Sequence, residues 1–185
     1  HPAHPEMGRR DFFLTSEVWI EREDFMETPS KGYHRLFPGN KTRLKYGYVV
    51  ECTGCEKDAQ GQITAVLAQL VPDTKSGTPG ADAVKVKGVI TWVSVGTGLP
   101  AEVRLYDRLF TEAQPEMGGR DFLSVLNPNS AKTVTAFVEP GLAQAVAEDR
   151  FQFERHGYFV ADRKDHVGEK LVFNRTTTLK DNWAK

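Results

Sequence analysis

Cysteine is almost missing from this chain: its 185 residues include only Cys52 and Cys55. That excludes the disulfide framework that staples small secreted domains. Long apolar runs are missing as well, and no stretch approaches the ~18 apolar residues of a membrane helix. The opening residues are polar, with two histidines and two prolines among the first five, so no secretory signal peptide is expected. Net charge is nearly nil, since 24 Lys and Arg stand against 25 Asp and Glu. A chain so balanced is not expected to bind nucleic acid tightly at physiological salt unaided. Catalytic signatures are also wanting. There is no Walker loop, no G-x-G-x-x-G after a strand, no G-x-S-x-G and no H-E-x-x-H. Glu154 beside Arg155, Asp107 beside Arg108, and Glu102 near Arg104 read as ordinary surface charges, so no catalytic residue is assigned. What is present is 39% hydrophobic and 26% charged residues of both signs, the composition of a folded globular chain. The length suits one ordinary domain or two small ones.

The two cysteines form a C-x-x-C motif. A redox site of that spacing wants a helix N-terminus after a strand, whereas residues 48–52 read as a strand and 56–61 as a polar turn. A zinc site needs two further ligands, and His1, His4, His34, His156 and His166 show no matching spacing. Two free thiols in a cytosolic protein is the plainer reading, and no metal site is expected. A metal-binding or redox enzyme using Cys52 and Cys55 is a further reading, which absence of bound zinc in elemental analysis would end.

Charge is segregated within the neutral total. Residues 31–50, KGYHRLFPGNKTRLKYGYVV, carry Lys31, Arg35, Lys41, Arg43 and Lys45 and no carboxylate. Glu17, Glu21, Glu23, Asp24 and Glu27 lie just upstream. Tyr33, Phe37, Tyr46 and Tyr48 sit among the cations. Cations draw phosphates and aromatic faces stack on unpaired bases, so this mixture suits single-stranded nucleic acid. Its plain alternative is a solvated face with core aromatics, and Tyr33 and Phe37 read mainly as core.

Strand signals dominate. Residues 16–20, 43–52, 63–70, 85–94, 103–110, 131–138, 151–161 and 171–179 are rich in β-branched and aromatic residues. In 43–52, alternation puts Arg43 and Lys45 on one face. In 151–161, Phe151, Phe153 and Arg155 alternate with Gln152 and Glu154. Turns are expected at Phe37-Pro-Gly-Asn40 and Asp58-Ala-Gln-Gly61, and loops over 73–83 and 115–119. One short helix is expected over 143–147. Lys85 and Lys87 read as solvated, and Trp92 and Trp183 as core or capping residues. The pattern predicts an all-β fold of one or two small barrels. Pro5-Glu-Met-Gly-Arg-Arg-Asp-Phe12 nearly repeats as Pro115-Glu-Met-Gly-Gly-Arg-Asp-Phe122, as duplicated barrels or local convergence would explain.

Several blocks resemble one family closely. They are Tyr33-His-Arg-Leu36, Arg43-Leu44, Val86-Lys-Gly-Val-Ile-Thr-Trp-Val-Ser94, Glu102-Val-Arg-Leu-Tyr-Asp-Arg-Leu-Phe110 and Phe122-Leu-Ser-Val-Leu-Asn-Pro128. Phe151-Gln-Phe-Glu-Arg155, Gly157-Tyr-Phe159, Phe173-Asn-Arg-Thr176 and Leu179-Lys-Asp-Asn-Trp183 continue the series. From His4 to its end the chain resembles the C-terminal anticodon-binding region of bacterial-type glutaminyl-tRNA synthetases, class I enzymes. Archaeal and eukaryotic glutamyl enzymes share the architecture. The resemblance implies two small antiparallel β-barrels, roughly 25–100 and 101–185, the second completed by 1–24. It implies a monomeric, cytoplasmic, membrane-free enzyme that joins glutamine to its tRNA with ATP and magnesium. Those cofactors and glutamine belong to an upstream catalytic domain, whose H-I-G-H-like and K-M-S-K-S-like motifs are not in this chain; no cofactor is assigned to it.

The resemblance also implies roles. Arg35 matches an arginine that reads the third anticodon base. Gln152 matches a glutamine on the middle uracil, and Arg155 an arginine in that cluster. Arg43 and Lys45 match positions near the first base and phosphates. Lys45 replaces an arginine, His34 a lysine and Gly32 a glutamine, so a point charge stands where the family has a fork. A further family arginine lies upstream, so weak binding by the isolated module is expected. A stand-alone RNA-binding barrel of the 5S rRNA type is the alternative from another class. A reading frame continuing upstream into a class I catalytic fold would favour the synthetase.

Overall fold

The computed structural model describes residues 4–11 and 13–180. His1, Phe12 and Trp183, named above, lie outside them. The chain divides into two compact units, Phe13–Gly96 and Thr97–Lys185 with His1–Phe12. Strands build both. The helical segments among the described residues are 3-10 turns of three to five residues. None of their helices is long and apolar enough to cross a membrane. The all-β expectation therefore holds.

In the unit Phe13–Gly96 the strands are β1 (Val18–Ile20), β2 (Lys41–Leu44), β3 (Val49–Lys57), β4 (Ile63–Leu70), β5 (Gly88–Ile90) and β6 (Trp92–Ser94). They form a four-stranded sheet of order β4-β3-β2-β5 and a β1-β6 pair. Alternate residues point inward, so Leu44, Val50, Cys52 and Ile90 bury with Phe25 and Leu36. The segment 43–52, expected as one strand, is a hairpin. Lys45 to Tyr48 make its turn, with Tyr46 at φ 61 and the Leu44 and Tyr48 backbones hydrogen-bonded at 2.9 Å. A left-handed tyrosine is uncommon and carries no compositional turn signal. Arg43 therefore lies on a strand and Lys45 in a turn, not on a shared strand face. Residues 85–94 also divide, into β5 and β6 at Thr91.

In the other unit the strands are β7 (Leu99–Tyr106), β8 (Ala131–Val138), β9 (Arg150–Phe153), β10 (Gly157–Ala161) and β11 (Leu171–Thr177). Their order is β8-β7-β11-β10-β9. Ala101, Val103, Phe159, Ala161, Leu171 and Phe173 form the core. Phe153 stacks on Phe159 at 4.4 Å, and Phe151 meets Phe173 edge-on at 5.7 Å. The segment 151–161 is also a hairpin, turning through Arg155 at φ 72. Residues 107–110, expected to extend a strand, lie beyond β7, and the short helix expected over 143–147 is a 3-10 turn at Pro140–Gln144.

The two larger sheets are open, not closed barrels, and each contains a parallel pair, β2 with β5 and β7 with β11. Long excursions between those strands permit the parallel pairing. The two near-identical segments around Met7 and Met117 fall in the same unit. Barrel duplication would put one in each, so it does not explain the echo.

Glu102 and Arg104, expected as an exposed pair, belong to a denser network. Arg104 reaches Glu102 at 2.7 Å, Asp165 at 2.6 Å and Asp162 at 3.3 Å. The Asn174 amide, then the backbone N–H groups of Asp165 and Lys164, then Arg104 hold the Asp162 carboxyl down at about 2. A carboxyl lowered on folding stabilises above its unfolded pKa of about 3.9 and stops doing so as pH falls through its folded value. Asp162→Asn is expected to flatten acid destabilisation between about pH 5 and pH 2. Thermal unfolding across that window checks this; parallel curves for the two proteins would count against it.

Candidate nucleic-acid interface

Arg35 is positioned by backbone hydrogen bonds on both sides of its segment. The Leu36 N–H donates to the Asp24 carbonyl at 2.9 Å, and the Met26 N–H donates to the Leu36 carbonyl at 3.0 Å. The Asn40 amide donates to the Arg35 carbonyl at 2.6 Å and to the His34 carbonyl at 3.3 Å. The buried Thr42 hydroxyl donates to the His34 carbonyl at 3.4 Å. This explains why Phe37-Pro-Gly-Asn40 turns here: the Asn40 N–H donates back to the Phe37 carbonyl, and its side chain fastens the preceding residues.

The side chain of Arg35 is held at one end. Its Nη1 forms an ion pair with the Asp24 carboxylate at 3.1 Å and donates to the Glu23 carbonyl at 3.2 Å. Asp24 is fully buried, whereas the Arg35 side chain is 38% exposed. Among the described residues, Nε and Nη2 of Arg35 make no hydrogen bond. That edge of the guanidinium remains for a ligand, with two donors in a plane. Arg35, His34, Tyr33, Gly32, Glu23 and Lys87 contribute to an open recess of about 430 Å³. His34 is exposed at its rim, and Tyr33 donates its hydroxyl to the Glu23 carbonyl at 2.9 Å.

Arg43 faces a different task. Its Nη1 donates to the Thr74 carbonyl at 2.8 Å and the Ser76 hydroxyl at 3.3 Å, and its Nη2 to the Ala81 carbonyl at 2.5 Å. The guanidinium thus clamps the 73–83 loop, which Ser76 also ties to the Gly47 carbonyl. Lys45 has its N–H on the Ile90 carbonyl and its carbonyl on Trp92 Nε1, both at 2.9 Å. Its ammonium lies 5.2 Å from the Tyr46 ring centre, so the turn presents a cation beside an exposed aromatic face.

Gln152 and Arg155 belong to the unit Thr97–Lys185, and Arg35, His34, Arg43 and Lys45 to Phe13–Gly96. Phe151 and Phe153 turn inward, so period-two alternation sends Gln152 outward. Its amide makes no hydrogen bond among the described residues and can donate and accept on one planar edge. Arg155 is exposed in the β9–β10 turn. Gly157 lets the start of β10 lie close against β11: a Cβ there would meet the Thr177 carbonyl oxygen at 2.3 Å.

Sequence reasoning missed Asp24, Asn40 and Thr42, which hold Arg35 and the residue before it: Asp24 comes from another segment, and the composition of the 31–50 stretch does not show that the Asn40 and Thr42 side chains bond the Arg35 and His34 carbonyls. The C-x-x-C pair lies within β3, at a ladder irregularity between Cys52 and Gly54, not at a helix start. Burial pushes the Cys52 thiol up, opposite to an activated thiolate. Among the described residues no three His, Cys, Asp or Glu side chains gather as a metal site requires.

Strands and the turns between them present Lys45, Gln152, Arg155 and one edge of Arg35 at the surface of their units, the arrangement of a β-rich binding module. Two family models, both described as tRNA synthetases class I (E and Q), anti-codon binding domain, match residues 1–71 and 89–162. The chain belongs to that family of anticodon-binding domains. It is 70% identical over 185 residues to the glutamine–tRNA ligase of Ralstonia pickettii (strain 12J), covering 100% of this chain and 32% of that protein. It is 65% identical over 185 residues to that of Cupriavidus taiwanensis, with the same coverages. It is 59% identical over 184 residues to that of Bordetella avium, covering 100% of this chain and 31% of that protein. The chain thus spans about a third of the length of the curated relatives it matches.

Proposed function

We propose that this chain reads the anticodon of a glutamine-specific tRNA, as the recognition part of a cytoplasmic, monomeric ligase that joins glutamine to that tRNA with ATP. Glutamine, ATP and magnesium bind elsewhere in that enzyme. The observation that carries the reading is Arg35, anchored at Nη1 and open along its Nε–Nη2 edge, in a chain of the anticodon-binding family. That edge suits two acceptors on the third anticodon base. Gln152 pairs with the middle uracil, and Arg155 supports it from the same hairpin. Lys45, His34 and Arg43 serve the first base and its phosphates. For Arg43 the service is indirect, since its hydrogen bonds shape the 73–83 loop. The two β-sheet domains of the reading are roughly residues 25–100 and 101–185.

The test is titration of the full-length protein with anticodon stem-loops changed at one base at a time, with a 5S rRNA fragment as competitor. Base-dependent affinity supports the proposal; equal affinity for all loops, or preference for the 5S fragment, overturns it. Gln152→Ala is expected to lose about 0.5–1.5 kcal/mol of discrimination at the middle base alone, the net worth of a neutral hydrogen bond. Equal losses for every middle base would make Gln152 a structural residue.

A further inference from the structure

We propose that Asp24 is the positioning residue for anticodon reading: its buried carboxylate fixes the roll of the Arg35 guanidinium so that the Nε–Nη2 edge faces the RNA. This rests on the reading of Arg35 given above.

Arginine reads a base well only when its planar fork is held in the base plane. A free side chain of that length has many rotamers and loses them on binding. Here Nη1 is occupied twice, by the Asp24 carboxylate and the Glu23 carbonyl. Those contacts fix the end of the guanidinium and therefore its plane. Asp24 cannot swing to follow a wandering arginine. It is fully buried in the 3-10 turn Arg22–Asp24, its N–H donates to the Glu21 carbonyl, and its carbonyl accepts from Leu36. The last hydrogen bond ties Asp24 to the residue after Arg35, so anchor and anchored group move together. An ion pair with one partner buried and the other half-exposed adds little net stability, but it orders the group that remains outside.

The experiment uses the full-length protein with Asp24→Asn, Arg35→Ala and the double variant. Affinities are measured for stem-loops with the cognate base or another base in third position, and for middle-base variants. Asp24→Asn is expected to lower third-base discrimination about tenfold. Middle-base discrimination stays as in the wild type. In the Arg35→Ala background, Asp24→Asn changes third-base discrimination no further, because the carboxylate acts through the arginine. If Arg35→Ala loses discrimination and Asp24→Asn keeps it, the positioning role fails and the reading of Arg35 stands. If Arg35→Ala keeps discrimination, the reading itself fails. Should Asp24→Asn not fold, the wild type supplies the test by NMR. An anchored guanidinium gives separate Nη1 and Nη2 resonances for Arg35 in the free protein, and a single averaged signal would overturn the proposal.

Discussion

Arg35→Ala is expected to weaken binding of the cognate anticodon loop by about 1–3 kcal/mol, roughly five- to 150-fold, and to abolish third-base preference. The size follows from geometry. Two donors on one rigid plane match two acceptors on a base edge, and both bonds are charge-assisted. The alanine also leaves the recess beside His34 and Tyr33 without its guanidinium. Arg35→Lys should recover part of the affinity, because the phosphate field still sees a cation, and little of the preference, because an ammonium cannot fork. Salt separates these two contributions: the affinity shared by all loops falls steeply with ionic strength, while the preference between bases falls much less. Loss of affinity with preference intact would reassign Arg35 to the RNA backbone.

How far the sequence alone reaches depends on whether the deciding interaction is local. Strands 63–70 and 131–138 are bounded by turn residues and stand where their composition puts them. The Phe-Gln-Phe alternation at 151–153 announces an outward amide, and the aromatic stacking on Phe159 and Phe173 bears that out. The two hairpins at Tyr46 and Arg155 were not legible, because a non-glycine residue in the left-handed region is imposed by the strands on either side. Arg43 shows the same limit for a site. Its charge and position suggest RNA, but its hydrogen-bond partners at Thr74, Ser76 and Ala81 come from some thirty to forty residues away. Asp24, one of five upstream acids, reads as counter-charge until the fold buries it beside Arg35. Composition indicates that the stretch is cationic; only the tertiary hydrogen bonds separate a clamp, an anchor and an open edge.

Gly88→Ala should be the most disruptive single methyl in the Phe13–Gly96 unit. A Cβ at Gly88 would stand 2.0 Å from the His34 carbonyl oxygen, 2.9 Å from its carbon and 3.1 Å from the Thr42 hydroxyl. Two of those atoms are backbone and cannot rotate away. The conflict is resolved only by parting β5 from β2, where Gly88 pairs with Thr42, or by displacing His34 and Arg35. Overpacking of this kind costs about 1–3 kcal/mol and sometimes more. A melting temperature lowered by several degrees is the first expected result. Gly141→Ala is the control, since nothing lies within 4 Å of its added carbon and its change should stay within about 0.5 kcal/mol. The second expected result links stability to recognition. The carbonyl that the methyl strikes belongs to the residue before Arg35, so Gly88→Ala should also reduce third-base discrimination in molecules that remain folded. The middle base, which the proposed reading assigns to Gln152 in the other unit, should be unaffected. Wild-type melting for Gly88→Ala would mean that the β5 backbone can yield without cost. Lowered melting with third-base preference intact would mean that Arg35 is held by Asp24 and Asn40 firmly enough to survive the shift.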